Sequence, residues 1–295
     1  MLTMKVIRAA EMGMCFGVRD ALLATDSVPD PTQVTIHGEL VHNPRVASRL
    51  GDAGFRQSPE ATRTSAAGTP VVLITAHGVS NAERHRLAGA NKALIDTTCP
   101  LVRRAHDAAQ ALRAEGRHVL LIGKAGHVEV RGIVEDLDSY DVIGEAGDVQ
   151  CYDSRRLGIV CQTTMPPDVV AGVCTHIRRL NPLADIRVID TVCRPTKLRQ
   201  RALLDLVRRV NAVVVVGGRN SNNTRWLVHV CHEHGTPAFH VESAADLDPA
   251  WFNDVETVGL TAGTSTLDET IDEVYRALER IGSVRRMREE AVETQ

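Results

Sequence analysis

The chain has 295 residues, 43% apolar and 24% charged, with a formal net charge of −3. That balance suits a globular protein with its own core and excludes bulk attraction to nucleic acid or to an anionic membrane surface. An aromatic content of 3% argues against a base-stacking surface, and no apolar run approaches membrane-spanning length, so neither a nucleic acid nor a membrane is expected as a partner.

Lys5, Arg8 and Glu11 interrupt the N-terminus where a signal peptide would need its apolar stretch. Seven cysteines without a secretory signal point to a reducing compartment, where thiols serve metals or catalysis more often than disulfides. A cytoplasmic protein is expected.

In chain order, Cys15 comes first, between a short apolar stretch and a helix-like run. The apolar run 71–75 leads through AHGVSN into a helical pattern. Pro100 suits the first turn of the next helix and puts Cys99 at its entrance. Run 119–122 leads into GKAGHVEVRG, and run 157–161 into QTTMPP and a helix. Pro195 suits another first turn, with Cys193 just before it. Run 213–216 leads through GGRNSNNT into a helix ending at Gly235, and Gly116 suits the end of an earlier one. Run 258–260 leads into TAGTST and a last helix, where Thr266 and Glu269 have capping-box spacing. From Arg285 the charged tail is expected to be a frayed helix or disordered. Alternation of strand, loop and helix predicts a parallel α/β architecture, with the ligand site beyond the carboxyl ends of the strands.

Cys15, Cys99 and Cys193 lie 84 and 94 residues apart, and the last two share the pattern Ile-Asp-Thr-x-Cys. Length alone suggests about two domains. The cysteine spacing instead predicts three small α/β domains at 16–98, 99–192 and 193–281, flanked by terminal segments 1–15 and 282–295. A thiolate at a helix N-terminus gains from the macrodipole. Three such thiolates would hold three corners of a [4Fe–4S] cluster and leave one iron open, unlike the fourfold ligation of electron-transfer ferredoxins. Cys161, Cys174, Cys231 and Cys151 are expected to be buried small hydrophobes.

His42 in GELVHNP, His77 in ITAHGVS and His127 in KAGHVEV each lie near a predicted strand end and together suit an anion clamp. Glu129 follows His127 by two residues; in an extended segment both face one side, which suits a proton relay. Ser221, Asn222 and Asn223, with Ser265, open helices after strands and suit either anion binding or plain N-capping. No Walker lysine and no GxGxxG is present, so a nucleotide is not indicated.

The segments CFGV, GELVHN, AHGV, DTTCPLV, GHVEV, QTT, DTVC with a following RQ, NSNNT and TAGTS occur in register from about Met14 to Ser265. Together they resemble the 4-hydroxy-3-methylbut-2-enyl diphosphate reductase family, whose reaction closes the non-mevalonate isoprenoid pathway. The resemblance implies a trefoil of three small α/β domains around a central iron–sulfur site. It implies that Cys15, Cys99 and Cys193 ligate a [4Fe–4S] cluster. It further implies that His42, His77, His127, Ser221, Asn222, Asn223 and Ser265 bind the substrate diphosphate. Glu129 matches the proton donor and Thr163 a threonine beside the substrate hydroxyl. Electrons would come from a ferredoxin or flavodoxin. Asn222 departs from the serine of many members, and Thr264 and Leu267 depart from a loop that often reads Gly-Ala-Ser-Thr-Pro. Two other readings remain open at this level: an aconitase-like hydratase, and an iron–sulfur sensor descended from the enzyme.

Overall fold

Runs of branched apolar residues favour strands, and strands with both faces covered read as continuous apolar segments. The structure, a computed structural model, describes residues 4–59 and 68–293. Its strands are β1 (Lys5–Arg8), β2 (Val34–His37), β3 (Arg56–Gln57), β4 (Val71–Ile74), β5 (Ala93–Asp96), β6 (His118–Ile122), β7 (Tyr140–Ile143), β8 (Arg156–Cys161), β9 (Asp185–Val188), β10 (Ala212–Val216), β11 (Ala238–Val241) and β12 (Thr257–Ala262). They form three four-stranded sheets in the orders β3-β2-β4-β5, β7-β6-β8-β9 and β11-β10-β12-β1. Every pairing is parallel. The three orders are one pattern, except that the third sheet draws its last strand from the start of the chain.

The helices are α1 (Phe16–Asp26), α2 (Pro44–Asp52), α3 (Asn81–Gly89), α4 (Pro100–Ala114), α5 (Val128–Val134), α6 (Pro167–Leu180), α7 (Arg194–Val207), α8 (Asn222–Glu233) and α9 (Asp268–Glu293). None among the described residues is long and apolar enough to cross a membrane. Gly116 and Gly235, at φ +68° and +69°, sit just past α4 and α8, where a left-handed residue closes a helix.

The chain divides into two compact units. One comprises Phe16–Val41 and Arg45–Thr196 and carries the first two sheets. In it, Ala105, Ala109 and Leu112 of α4 and Ile133 of α5 pack with Val119, Leu121 and Val160. The opposite side chains of the same strands, Leu120, Ile122 and Ile159, meet Val173 and Ile177 of α6. The other unit comprises Met1–Cys15, His42–Pro44 and Lys197–Gln295 and carries the third sheet. There Val214, Val216 and Leu260 face Ile271, Val274 and Leu278 of α9, while Val213 and Val215 face Leu203, Leu206 and Leu227 of α7 and α8. Burying each such Val, Leu or Ile side chain contributes about 1.5–3 kcal/mol.

Two expectations, on Thr266 and on Cys151, are corrected, and of the two for the tail the helical one holds. Thr266 does not cap α9: the helix starts at Asp268, and the Thr266 hydroxyl donates to the Val216 carbonyl (3.0 Å), tying the loop to β10. The charged tail continues α9 as far as Glu293, and residues 294–295 lie outside the described residues. Cys151 is exposed, its thiol donating to the Leu180 carbonyl at 3.3 Å.

Candidate active site

Each sheet ends in the same construction. An edge strand runs into a turn, the turn closes on a cysteine, and the next residue starts a helix: Cys15 before α1, Cys99 before α4 and Cys193 before α7. The cysteine amides donate to carbonyls two residues past the neighbouring interior strand: Cys15 to Thr264 (3.3 Å), Cys99 to Ala76 (3.1 Å) and Cys193 to Thr163 (2.9 Å).

The repeated Ile-Asp-Thr-x-Cys pattern has a direct cause. The Asp96 carboxylate accepts from the Thr98 amide (2.9 Å), and Asp190 accepts from the Val192 amide (3.1 Å), which bends the chain toward the cysteine. The threonine hydroxyls pin that bend to the adjacent strand, Thr97 on the Ile74 carbonyl (2.7 Å) and Thr191 on the Cys161 carbonyl (2.5 Å). In the Cys15 copy Gly13 takes the place of Thr97, at φ +75°, and its amide donates to the Ala262 carbonyl at 3.3 Å. Burial pushes the Asp96 carboxyl up, but the bonds from Arg84 and Thr98 outweigh it and hold the group at about 2.

These three thiols are half-buried, whereas Cys161, Cys174 and Cys231 are buried. Burial raises the Cys174 thiol and pushes Cys231 up to about 12, which keeps it a protonated hydrophobe. Gly17, two residues after Cys15, lies so near Cys99 that a Cβ there would fall 2.5 Å from the sulfur. Gly17→Ala is therefore expected to cost about 1–3 kcal/mol in urea unfolding and to reduce iron uptake on anaerobic reconstitution. No cluster of three or more His, Cys, Asp or Glu among the described residues is arranged to share one metal ion. Thiolates that each bind a different iron of a cluster do not need to share one. Half-buried thiols at helix entrances, with a glycine cleared against one of them, fit that donor role.

Glu129 is 2% exposed. It is not extended alongside His127, as expected from sequence, but is the second residue of α5. His127 is the N-cap, and its Nδ1 accepts from the Glu129 amide at 3.1 Å. The helix forms because that imidazole takes an amide that would otherwise lack a partner. The Glu129 carboxylate accepts twice from one residue, from the Thr163 amide (2.7 Å) and the Thr163 hydroxyl (3.1 Å). Burial raises its pKa, the two bonds oppose the rise, and the carboxyl settles at about 7. Because the Thr163 carbonyl also accepts from the Cys193 amide, Glu129, Thr163 and Cys193 form one hydrogen-bonded group.

The candidate anion-binding residues follow the same repeat. His42, His127 and Ser221 stand five residues past β2, β6 and β10; His77 and Ser265 stand three past β4 and β12. His77 and His127 meet edge to face with ring centroids 5.8 Å apart. With Nδ1 accepting from an amide, a neutral His127 carries its proton on Nε2. Ser221 caps α8 by accepting from the Thr224 amide (3.3 Å), and its O–H stays available to donate. Asn223 Oδ1 accepts from the Thr264 amide (3.1 Å), leaving its NH₂ as a donor. Asn222 is half-buried and accepts from the Arg225 guanidinium. The Ser265 hydroxyl donates to the His42 carbonyl (3.0 Å), so it holds the His42 turn.

Residue-type reasoning assigned no part to three further residues. Asn43 is buried and donates to the Ser265 carbonyl (2.6 Å). Gln162 is buried and accepts from the Lys124 amide (3.0 Å). Arg199 is buried and donates to the Gly13 carbonyl in the turn that carries Cys15. All three lie in the matched segments GELVHN, QTT and RQ, so the signal was present without a role attached.

The model of the LytB protein family matches residues 6–279. The chain belongs to the LytB protein family. It is 34% identical over 283 residues to the 4-hydroxy-3-methylbut-2-enyl diphosphate reductase of Trichlorobacter lovleyi, covering 95% of this chain and 99% of that one. The Pelobacter propionicus protein of the same name is 36% identical, with coverage of 95% and 99%. Among solved structures, an (E)-4-hydroxy-3-methyl-but-2-enyl diphosphate reductase named as the terminal enzyme of the non-mevalonate pathway is 31% identical. It superposes with a TM-score of 0.66 over 95% of this chain and 100% of that one. The corresponding Plasmodium falciparum reductase, 24% identical, shares the fold with a TM-score of 0.84 over 93% and 87% of the two chains.

Proposed function

We propose that this LytB-family chain catalyses the reductive dehydroxylation of (E)-4-hydroxy-3-methylbut-2-enyl diphosphate to isopentenyl and dimethylallyl diphosphates. The observation that carries the reading is the buried Glu129 carboxyl, set at about 7 and doubly bonded to the residue that holds the Cys193 amide. Two electrons and two protons enter, the allylic C–O bond breaks, and the oxygen leaves as water. Cys15, Cys99 and Cys193 would hold a [4Fe–4S] cluster, which when bound would supply Lewis-acid and electron-transfer chemistry. Electrons would come from a ferredoxin or flavodoxin, in a cytoplasmic setting consistent with seven cysteines.

The protein's own part is protonation and placement. Glu129 protonates the Thr163 hydroxyl oxygen as Thr163 gives its proton to the departing oxygen, and a carboxyl near 7 supplies both forms at neutral pH. His42, His77, His127, Ser221, Asn222 and Asn223 hold the diphosphate, so binding of the non-reacting end orients the reacting end. Ser265 supports this by fixing the His42 turn. In line with this reading, protein purified anaerobically is expected to be brown and to turn over the allylic diphosphate only with an added reductant. Colourless, iron-free and inactive protein after anaerobic reconstitution would refute it. Turnover without any reductant would point to the hydratase chemistry instead.

A further inference from the structure

The three cysteine turns are built alike, yet they differ at one buried position. The third helical residue after each cysteine is Val18 in α1, Val102 in α4 and Thr196 in α7. All are buried, at 9%, 5% and 5% exposure. Valine meets the packing demand twice, so nothing in that position requires a hydroxyl. In the third copy the hydroxyl lies 3.1 Å from the Cys193 sulfur. A capping box sends the third-residue side chain back to the N-cap amide. Here that amide is already engaged with the Thr163 carbonyl, and the side chain reaches the N-cap sulfur.

Resting on the function proposed above, we infer that Thr196 is a positioning residue for Cys193: its hydroxyl donates a hydrogen bond to the thiolate and tunes that cluster ligand. A hydrogen bond to a thiolate is charge-assisted and strengthens as the sulfur becomes more negative. It therefore favours the reduced cluster over the oxidised one and raises the potential. The choice of cysteine has a rationale, since Cys193 is the ligand linked through Thr163 to Glu129. The bond also restrains the side-chain rotamer of a ligand beside which a proton must be delivered.

The test compares anaerobically reconstituted wild type with Thr196→Val, Thr196→Ser and Thr196→Ala, matched by iron and sulfide content. Midpoint potentials are read by redox titration followed by electron paramagnetic resonance. Thr196→Val and Thr196→Ala are expected to shift the one-electron reduction equilibrium about threefold or more toward the oxidised form, with Thr196→Ser close to wild type. Loss of the cluster in the valine and alanine variants alone would also support the hydroxyl's role. Potentials and spectra of Thr196→Val equal to wild type would overturn the inference while leaving the proposed function intact. A wild type that takes up no cluster would instead remove both.

Discussion

Cys193→Ser protein is expected to fold, to take up less iron on anaerobic reconstitution than wild type, and to lose turnover by more than about 100-fold. Changes in the outer shell of a metal site commonly cost 10–100-fold, so loss of a ligand itself should exceed that. The fold should survive because Cys193 is only half-buried and its amide, not its sulfur, makes the link to Thr163. Cys174→Ala is the matched control, since that thiol is buried in the α6 core and raised by burial. Iron analysis and visible absorption separate the two. Equal iron content and turnover in Cys193→Ser and wild type would dismiss the ligand assignment.

Glu129→Gln is expected to leave iron content unchanged and to lower kcat by about 10²–10⁴-fold, the usual range for a positioned general acid. Glutamine retains the shape and can still accept from the Thr163 amide, so substrate affinity should change little. A stability signature accompanies this. Burial raises the Glu129 pKa from 4.5 to about 7, so the fold favours the neutral carboxyl. That contribution is fully present below 4.5 and is lost as pH rises through about 7, amounting to about 3 kcal/mol. Urea unfolding of wild type against Glu129→Gln, from pH 4 to pH 8, should show wild type losing ground across this window. A constant difference between the two would contradict a raised carboxyl. Turnover of wild type should likewise fall above about pH 7 as the acid form disappears.

What sequence could show depended on which strands are covered. Runs 71–75, 119–122, 157–161, 213–216 and 258–260 match β4, β6, β8, β10 and β12, all interior strands whose residues are mostly buried on both faces. Edge strands such as β3 and β9, with exposed residues throughout or nearly so, carry no such run. The interior β2 was missed although wholly buried, because Thr35 and His37 break its apolar run. Local turn chemistry was legible where a residue type has one dominant use, as with Pro100 at the start of α4. It failed where a side chain has several partners to choose from. Glu129 could not be placed on a helix until the His127 ring was known to cap it, and Thr266 chose the Val216 carbonyl over its own helix. Gly17, in the matched segment CFGV, had no role attached, because the need for a missing side chain arises from Cys99, far away in sequence.

The third sheet has a consequence for synthesis. β1 emerges among the first residues, yet its register partner on β12 pairs Lys5 with Thr257. The first and second sheets each close within a continuous stretch of chain and can form while the ribosome is still translating. β1 must wait, unpaired, until β12 has been made, and loop closure over that span is slow. The Cys15 turn, which hangs on the Thr264 carbonyl, is thus the last of the three to acquire its shape. A chain stalled before β12 would have the first two sheets but no support for the Cys15 turn.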